Sequence, residues 1–282
     1  MEALKTRSEI REYSRSVKAA GERLGLVPTM GALHVGHLQL IQKALAENEA
    51  VVVSIFVNPT QFDKEEDLAT YPRTLQADLE MLRPFGDRLR VFAPEVSEMY
   101  AERVVAGRYD FGGLDRVMEG AHRSGHFEGV GTIVEALLRL IAPDRAYFGE
   151  KDYQQLQIIR KLVKMRSLPV EIIACPIVRE ADGLALSSRN RRLTKRLRSV
   201  APYLYQILQE AKKQFGTKSA KEVTEYVTRA FAAHPEFELE YFQIAESGSL
   251  KPVRRKNSNK TYRAFIAAYL GGVRLIDNLA LN

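Results

Sequence analysis

The segment of the chain with the strongest chemical character, residues 28–37, reads Pro-Thr-Met-Gly-Ala-Leu-His-Val-Gly-His. Its glycines permit a tight turn and a close approach of the backbone to a ligand. A helix predicted from about Val35 would place His34 and His37 on one face of its first turn, beside free N–H groups and a positive dipole end. Such imidazoles could stabilise charge on a polyphosphate. The same spacing is compatible with a metal pair, or with two histidines that have no chemical role.

Other polar side chains of suitable chemistry come after later apolar runs. Gln61 follows a run that reads as a buried strand, and its amide offers donors and acceptors to a substrate with hydroxyl and carboxylate groups. From Asn58-Pro59 alone, the favoured interpretation is a turn followed by a solvated loop residue at Gln61. Lys151 supplies a mobile point charge suited to phosphate or carboxylate, and its neighbour Asp152 could equally be a helix N-cap.

A further candidate is the loop at residues 186–190, which reads Leu-Ser-Ser-Arg-Asn. It combines the hydroxyl donors of Ser187 and Ser188 with the guanidinium of Arg189, a group that can clamp two phosphate oxygens. Such a loop could hold a polyphosphate and close over it. The alternative is a charged loop that merely leads into a helix.

The composition is that of an ordinary globular protein. The 282 residues are 45% apolar and 27% charged. A single cysteine, Cys175, allows no internal disulfide. The charged start of the chain does not resemble a signal peptide, and the apolar run 51–57 is too short to cross a bilayer. We therefore expect a cytoplasmic protein without a membrane partner.

The net charge of +7 suits a nucleic acid or a small anionic substrate equally well. The basic residues are scattered, apart from a concentration between residues 189 and 198. The sequence has no RNA-binding aromatic motif and no zinc-finger spacing. Only the net charge supports a nucleic-acid partner, and charge alone is weak evidence. We therefore expect no nucleic-acid partner.

Apolar runs alternate with helical patterns through the first 180 residues. The run 50–57 is β-branched and nearly all apolar, as a strand buried on both faces should be. Predicted strands are 25–28, 50–57, 89–92, 146–148 and 171–178, and predicted helices are 8–20, 35–47, 75–82, 129–141 and 152–166. This alternation predicts an α/β fold, a Rossmann-like parallel sheet with helices on both faces. Ligands of such sheets bind beyond the carboxyl ends of the strands.

After about residue 180 the order changes. Helices are predicted at 194–215 and 219–233, and strands at 237–245, 262–270 and 272–276. Helices followed by strands indicate a smaller C-terminal α+β domain. We therefore predict two domains, 1–177 and 178–282.

Five segments together resemble one known family. The element His-Val-Gly-His at 34–37 resembles the His-x-Gly-His element of the nucleotidyltransferase superfamily. The longer string 28–37 resembles the pantothenate synthetase family. Further segments agree with that family in order and spacing: 56–62 (Phe-Val-Asn-Pro-Thr-Gln-Phe), 71–74 (Tyr-Pro-Arg-Thr), 148–155 (Phe-Gly-Glu-Lys-Asp-Tyr-Gln-Gln) and 182–190 (Asp-Gly-Leu-Ala-Leu-Ser-Ser-Arg-Asn).

The resemblance implies an AMP-forming pantoate–β-alanine ligase, a carbon–nitrogen ligase of pantothenate biosynthesis, which supplies the coenzyme A precursor. Its substrates would be ATP (with Mg²⁺), pantoate and β-alanine, and its reaction would pass through a pantoyl-adenylate. It also implies a homodimer. Domain 1–177 would bind nucleotide and pantoate, and domain 178–282 would close over ATP.

The resemblance also implies roles for individual residues. Catalysis would rest on His34, His37, Lys151 and Arg189. The implied ATP-binding residues are Met30, His34, His37, Gly149, Lys151, Asp152, Val178, Leu186, Ser187, Ser188 and Arg189. Gln61, Gln155 and Met30 would bind pantoate. Asp78 would contact Mg²⁺, although the helix pattern alone makes it only a polar-face residue.

One alternative stays open at this point. A nucleotidylyltransferase acting on another small substrate would share the His-x-Gly-His element, but would not be expected to carry Gln61 and Gln155 in this framing. The chain also departs from the family at Ser124, where members commonly carry proline, and at Gly131. These departures affect rigidity and leave the role of Arg123 open, and His126 can be structural.

Overall fold

The computed structural model describes residues 2–63, 65–100 and 103–282. Within it the chain forms two compact units, Met1–Glu150 with Gln154–Pro176, and Lys151–Tyr153 with Ile177–Asn282. The predicted domain boundary at residue 177 stays a prediction. The compact units differ from it because the short segment Lys151–Tyr153 groups with the C-terminal unit.

The N-terminal unit contains a six-stranded sheet in the order β1-β4-β3-β2-β5-β6, and every neighbouring pair is parallel. The strands are β1 (Ala3–Leu4), β2 (Leu24–Thr29), β3 (Ala50–Ile55), β4 (Leu89–Phe92), β5 (Arg145–Gly149) and β6 (Glu171–Cys175). This confirms the predicted α/β class. Strand β1 was not predicted, because two residues are too few to show a periodic pattern.

Both faces of this sheet are covered. Val51, Val52 and Val53 of β3 are all fully buried, and successive side chains of a strand point to opposite faces. On one face, Val51 and Val53 pack in a cluster with Ile41 and Leu82, which come from two different helices. The run of apolar residues in β3 therefore reflects burial on two sides.

Five helices of the N-terminal unit begin within three residues of their predicted starts, and three shorter helices were not predicted. The helices are α1 (Arg7–Ala19), α2 (Val35–Glu47), α3 (Glu65–Thr70), α4 (Leu75–Leu82), α5 (Val96–Met99), α6 (Glu119–His122), α7 (His126–Ile141) and α8 (Tyr153–Met165). Helix α1 begins with a capping box between Thr6 and Glu9. Helix α7 starts three residues earlier than predicted, after Gly125 in a left-handed conformation.

The strand order places a topological switch point beside β2. Strand β3 lies on one side of β2 and β5 lies on the other. After β2, the chain therefore adds strands to one side of the sheet first and to the opposite side later. Ligands of open parallel sheets bind beyond the carboxyl ends of the strands at such a point. Here those ends are Thr29 of β2 and Gly149 of β5.

The C-terminal unit is built on an antiparallel sheet in the order β7-β8-β9. Its elements are α9 (Lys195–Val200), α10 (Tyr203–Phe215), α11 (Ala220–Ala232), β7 (Phe237–Glu246), β8 (Tyr262–Leu270) and β9 (Val273–Ala280). The buried core joins apolar residues of α10 and α11 to those of the sheet. This confirms the predicted smaller α+β part of the chain.

Two elements of this unit differ from prediction. The helix expected over 194–215 is broken between α9 and α10, where Pro202 has no N–H to donate to the preceding turn. Strand β9 continues four residues beyond the predicted end at Ile276. The apolar pattern stops there, but pairing continues through Asp277 and Asn278, opposite Ile266 and Phe265 of β8.

Strand β6 ends at Cys175, three residues before the predicted end, because Pro176 cannot donate to the ladder. The thiol is buried, and this desolvation raises the pKa of Cys175 to about 11. Among the described residues, no helix is both long enough and apolar enough to cross a membrane.

Candidate active site

The loop between β2 and α2 has two consecutive residues with positive φ, and only one of them is a glycine. Gly31 has a φ of 79° and Ala32 a φ of 50°. Glycine adopts the left-handed region readily, whereas the Cβ of alanine costs about 1–2 kcal/mol there. The conformation of Ala32 therefore has to be held by contacts from outside the loop.

His34 and His37 cap helix α2 with their own side chains. His34 is the N-cap residue, and its Nδ1 accepts the N–H of Gly36 at 3.2 Å. The N–H of His34 in turn donates to Nδ1 of His37 at 3.3 Å. The two ring centroids are 4.1 Å apart. The expected pairing of the imidazoles is thus present, but the amides of Gly36 and His34 are bonded to the rings rather than offered to a ligand.

This reciprocal cap decides which ring nitrogen carries the proton. An Nδ1 that accepts a backbone N–H is unprotonated, so each neutral ring carries its hydrogen on Nε2. Each ring can therefore act as a donor at Nε2. Two such donors in contact at the carboxyl end of β2 suit an acceptor with several oxygens, such as a polyphosphate.

Asp78, the predicted magnesium residue, lies against the same loop. Its Oδ2 accepts the N–H of Ala32 at 3.0 Å, and its Oδ1 accepts the N–H of Leu33 at 2.8 Å. The Thr74 hydroxyl lies 3.3 Å from both oxygens. The side chain is 2% exposed.

A direct magnesium contact does not fit this arrangement. Mg²⁺ usually keeps several waters and holds them in octahedral geometry, and a carboxylate as buried as that of Asp78 has no room for them. Within the described part of the chain, no group of three or more His, Cys, Asp or Glu side chains could hold a metal ion. We therefore assign no metal to Asp78.

Gln61 lies in a 3-10 helix, Pro59–Gln61, that follows β3. Its Nε2 donates to Sδ of Met30 at 3.1 Å, and its Oε1 accepts from Nδ2 of Asn58 at 3.0 Å. The structure thus brings together two of the residues expected to bind pantoate, Met30 and Gln61. Gln61 is buried and not a solvated loop residue.

Asn58 is a site residue that the sequence reasoning treated as part of a turn. It is 1% exposed, and its Nδ2 also donates to the carbonyl of Gly129 at 3.1 Å. Its Oδ1 accepts from the hydroxyls of Thr60 and Tyr100. Because all of these partners are fixed, Asn58 orients the amide of Gln61. An asparagine directly after a buried strand was the available signal.

His126 and Arg123 hold the backbone of Gln61. Nδ1 of His126 lies 2.8 Å from the Gln61 carbonyl oxygen, and Nε2 lies 3.0 Å from Nη1 of Arg123. Arg123 is itself within 3.8 Å of the carboxylates of Asp63 and Glu119. His126 is therefore a structural residue of the Gln61 segment.

The two glutamines of α8 have different roles. Gln154 is buried, and its side chain bonds to the backbone of Leu114, Val117 and Glu119, which fixes the loop before α6. Gln155 is half-buried. Of this pair, Gln155 is the side chain that remains suited to a ligand.

In the C-terminal unit, Lys151 is held by the end of strand β9. Nδ2 of Asn278 donates to the Lys151 carbonyl at 2.9 Å. The Arg263 guanidinium lies 4.0 Å from the centre of the Tyr153 ring. Asp152 is exposed, in the 3-10 turn before α8. The partner Asn278 is 127 residues away along the chain, so no local sequence pattern could have revealed it.

The loop that carries Arg189 is a short 3-10 helix, Ser188–Arg192. Its N-cap Ser187 accepts the N–H of Arg189 at 3.3 Å. Leu186 donates to the carbonyl of Val178 at 2.9 Å, which joins two of the residues expected to bind ATP. Nδ2 of Asn190 donates to the Ala185 carbonyl at 3.0 Å and anchors the far end.

A pocket in the C-terminal unit brings some of these residues together. It is lined by Lys151, Leu184, Ala185, Ser187, Asn190, Leu204, Leu275, Ile276 and Asp277. Lys151 and Ser187 are the two expected ATP residues in this lining. The buried Asp277 forms an ion pair with the partly exposed Arg179 at 2.6 Å, and Arg179 also lies 3.8 Å from the centre of the Tyr205 ring. On the Asp277 side, the pocket wall is therefore held by a charge-assisted contact.

The turn before this loop is fastened by Arg198. Its guanidinium donates to Glu180 and to Asp182, each at 2.7 Å. The bond from Arg198 to Asp182 lowers the pKa of the Asp182 carboxyl. One residue of the basic concentration noticed in the sequence thus serves the local structure.

Comparison with known proteins extends over the whole chain. Residues 2–280 match the family model described as Pantoate-beta-alanine ligase. The pantothenate synthetase of Christiangramia forsetii is 51% identical over 282 residues, and the match covers 100% of both chains.

Two solved structures are similar in fold and in sequence. The pantothenate synthetase of Thermus thermophilus matches with a TM-score of 0.90 and 43% identity, covering 100% of this chain and 99% of that chain. The pantoate-beta-alanine ligase of Francisella tularensis, solved in complex with beta-gamma ATP and beta-alanine, matches with a TM-score of 0.80 and 35% identity, covering 100% and 98%. With relatives of this identity over its full length, the chain belongs to the pantoate–β-alanine ligase family.

Proposed function

We propose that this chain joins pantoate to β-alanine through a pantoyl-adenylate, with the residues named below in the stated roles. The ATP-dependent ligation itself follows from membership of the family. The observation that carries the residue assignment is the reciprocal cap of His34 and His37, which sets both Nε2 atoms as donors at the switch point of the sheet.

In the first step, a pantoate carboxylate oxygen attacks the α-phosphorus of ATP, a new P–O bond forms, and the bond to pyrophosphate breaks. Negative charge builds on the leaving pyrophosphate. His34 and His37 would stabilise that charge from Nε2, and Lys151 and Arg189 would do so as cations. The backbone or side chains of Met30, Gly149, Asp152, Val178, Leu186, Ser187 and Ser188 would complete the binding of ATP.

In the second step, the amine of β-alanine attacks the acyl carbon, a C–N bond forms, and the C–O bond to AMP breaks. The amine proton leaves, and AMP departs as the phosphate monoester. No enzyme nucleophile is required in either step. Rate acceleration would come largely from holding the reactants in line, which can supply about 7–11 kcal/mol.

Pantoate would be bound by Gln61, Met30 and Gln155. Support comes from the contact between Gln61 and Met30 and from the burial of Gln61. The orientation imposed by Asn58 would direct the Gln61 amide toward a substrate hydroxyl or carboxylate.

Magnesium would reach the reaction bound to the phosphates of ATP, where it supplies charge neutralisation. The contacts of Asp78 do not fit a magnesium ligand, and no step is assigned to it through the metal. The homodimer and the cytoplasmic location expected from the sequence remain predictions.

A product assay tests this function. The protein is incubated with ATP, Mg²⁺ and pantoate, with and without β-alanine, and pyrophosphate and AMP are measured separately. Pyrophosphate with pantoate alone, and abundant AMP only after β-alanine is added, is the expected result. Pyrophosphate without AMP under both conditions would instead indicate a nucleotidylyltransferase that leaves its nucleotide on the product.

A further inference from the structure

The backbone that leads into His34 is held almost entirely by side chains. The N–H of Gly31 donates to the Thr29 hydroxyl at 3.2 Å, and the N–H of His34 donates to His37. The two amides between them, those of Ala32 and Leu33, both donate to Asp78. The conformation of four consecutive residues thus depends on three side chains, and Asp78 accounts for half of the bonds.

We infer that Asp78 is a positioning residue for His34, acting through the backbone of Ala32 and Leu33, and that it is not a ligand of the reaction's magnesium. The inference rests on the proposed function, because it concerns the histidine that would stabilise the leaving pyrophosphate. It replaces the metal contact that the family resemblance implied for this residue.

The chemistry of the carboxylate suits this task. Two adjacent N–H groups that point the same way need two acceptor atoms, and an ionised carboxylate is the short side chain that supplies them without adding a donor. Asp78 lies in the first turn of α4, where the helix dipole favours a negative charge. The Thr74 hydroxyl donates to the same group.

The loop is matched to the carboxylate at Gly31. A Cβ at this position would lie 3.1 Å from Oδ2 of Asp78 and 3.1 Å from Cγ2 of Ile55. The absence of a Cβ at Gly31 therefore leaves room for the Asp78 carboxylate beside the loop. The next residue, Ala32, keeps its positive φ although it has a Cβ. A conformation that an alanine does not favour persists here because the two bonds to Asp78 fix the peptide on either side of it.

The mechanism then requires accurate placement rather than charge from Asp78. His34 follows Leu33 directly and is the N-cap of α2. A shift of the Ala32–Leu33 peptides would move the Cα of His34 and would also disturb its bond to His37. A misplacement of about 1 Å in a catalytic group can cost about 10²-fold in rate.

The test is Asp78→Asn, which keeps the shape but replaces one acceptor by an NH₂ donor. We expect the rate constant for pyrophosphate release, at saturating ATP and pantoate, to fall by about 10²-fold. The Mg²⁺ concentration that gives half-maximal rate should stay unchanged. In the metal-free protein, hydrogen exchange of the Ala32 and Leu33 amides, followed by NMR, should become faster than in the wild type.

The matched control is Asp87→Asn, which makes the same chemical change at a fully exposed carboxylate just after α4. It should leave both the rate and the exchange of the two amides at wild-type values.

If Asp78→Asn does not fold, Thr74→Val is the second test variant. Removing one donor to the carboxylate should then lower the rate, again without a change in the half-maximal Mg²⁺ concentration.

Two results would overturn the inference. One is a rise in the half-maximal Mg²⁺ concentration in parallel with the loss of rate, with activity restored by excess Mg²⁺ or Mn²⁺, which is the behaviour of a metal ligand. The other is an unchanged rate in a folded variant whose Ala32 and Leu33 amides have become exposed. Absence of pyrophosphate release in the wild type would instead contradict the proposed function, so the two failures are distinguishable.

Discussion

The loop that carries His34 and the loop that carries Arg189 are held by different kinds of contact. The first has its amides bonded to the buried side chain of Asp78 and to His37. The second is a 3-10 helix capped by the Ser187 hydroxyl and anchored by the Asn190 amide, and the turn at its base is fastened by the partly exposed ion pairs of Arg198. Buried bonds between a carboxylate and the backbone are stronger than ion pairs near the surface.

The difference indicates how each loop can contribute to catalysis. A loop that is fixed before the substrate arrives can offer donors without any cost of ordering, which is the condition for strong electrostatic stabilisation. A loop held by weaker contacts at its base can change conformation when ATP binds. We therefore expect the His34 loop to act mainly on the chemical step and the Arg189 loop to act also on ATP binding.

The largest effect should come from His34→Ala. Loss of one preorganised donor typically lowers a rate constant by about 10²–10³-fold, and we expect pyrophosphate release in a single turnover to fall by this amount, with ATP affinity little changed. The control is Val35→Ala, at a side chain that is 58% exposed. A His34→Ala variant with a normal single-turnover rate would remove the histidine from the mechanism.

A smaller effect, of different character, should come from Arg189→Ala. We expect kcat/KM for ATP to fall by about 10–10²-fold, with a clear rise in KM, because a charge-assisted contact of about 1.5–3 kcal/mol is lost. Arg189→Lys should recover only part of this, since an ammonium group lacks the planar fork of a guanidinium. Arg191→Ala, at an exposed neighbour in the same 3-10 helix, serves as the control. A fall in kcat with an unchanged KM for ATP would mean that the Arg189 loop, like the His34 loop, acts on the chemical step.

The stiffness of the His34 loop can be measured through Gly31→Ala. The substitution places a Cβ at a φ of 79° and against Asp78, and we expect the free energy of unfolding to fall by about 1–2 kcal/mol. Urea denaturation measures this directly. The comparison variant is Ala32→Gly next to it, where relief of the positive φ and the added freedom of the unfolded chain should nearly cancel. Equal losses in the two variants would mean that the loop is not held as described.

The smallest effect should come from Arg198→Gln at the base of the Arg189 loop. Partly exposed ion pairs are worth about 0.2–1 kcal/mol, so the loss at pH 7 should stay below about 1 kcal/mol. The folded-state pKa of Asp182 is lowered, so its share of the stability is present above the unfolded pKa of about 3.9. It is lost as the pH falls through the folded value. The difference between variant and wild type should therefore shrink in acid, and a constant difference would mean that the bond from Arg198 to Asp182 contributes nothing to stability.

Much of the fold was predictable because it is recorded in local patterns. Helix α2 and strand β4 have their predicted bounds, since each is a clear periodic or apolar run between turn residues. Helix α7 begins earlier than predicted because the glycines near its start conceal the first turn. The division of the predicted 194–215 helix was also readable at Pro202.

The site was less predictable than the fold. The spacing of His34 and His37 predicted that the two rings lie together. Their role as caps depends on the orientation of each ring, which no sequence pattern shows. The bonds of Asp78 reach across 45 and 46 residues, and that of Asn278 to Lys151 reaches across 127. Contacts of this kind are set by how the elements pack, so a sequence read in order cannot supply them.

The buried cysteine of strand β6 has a practical consequence for spectroscopy. Cys175 is the one cysteine in the sequence, and its burial and raised pKa leave the thiol protonated and inaccessible near neutral pH. A second cysteine introduced at an exposed position, such as Arg191→Cys, should thus react alone with a maleimide dye or a spin label. The native cysteine therefore need not be replaced before site-specific labelling. A probe on the Arg189 loop could report in real time whether the environment of that loop changes when ATP is added.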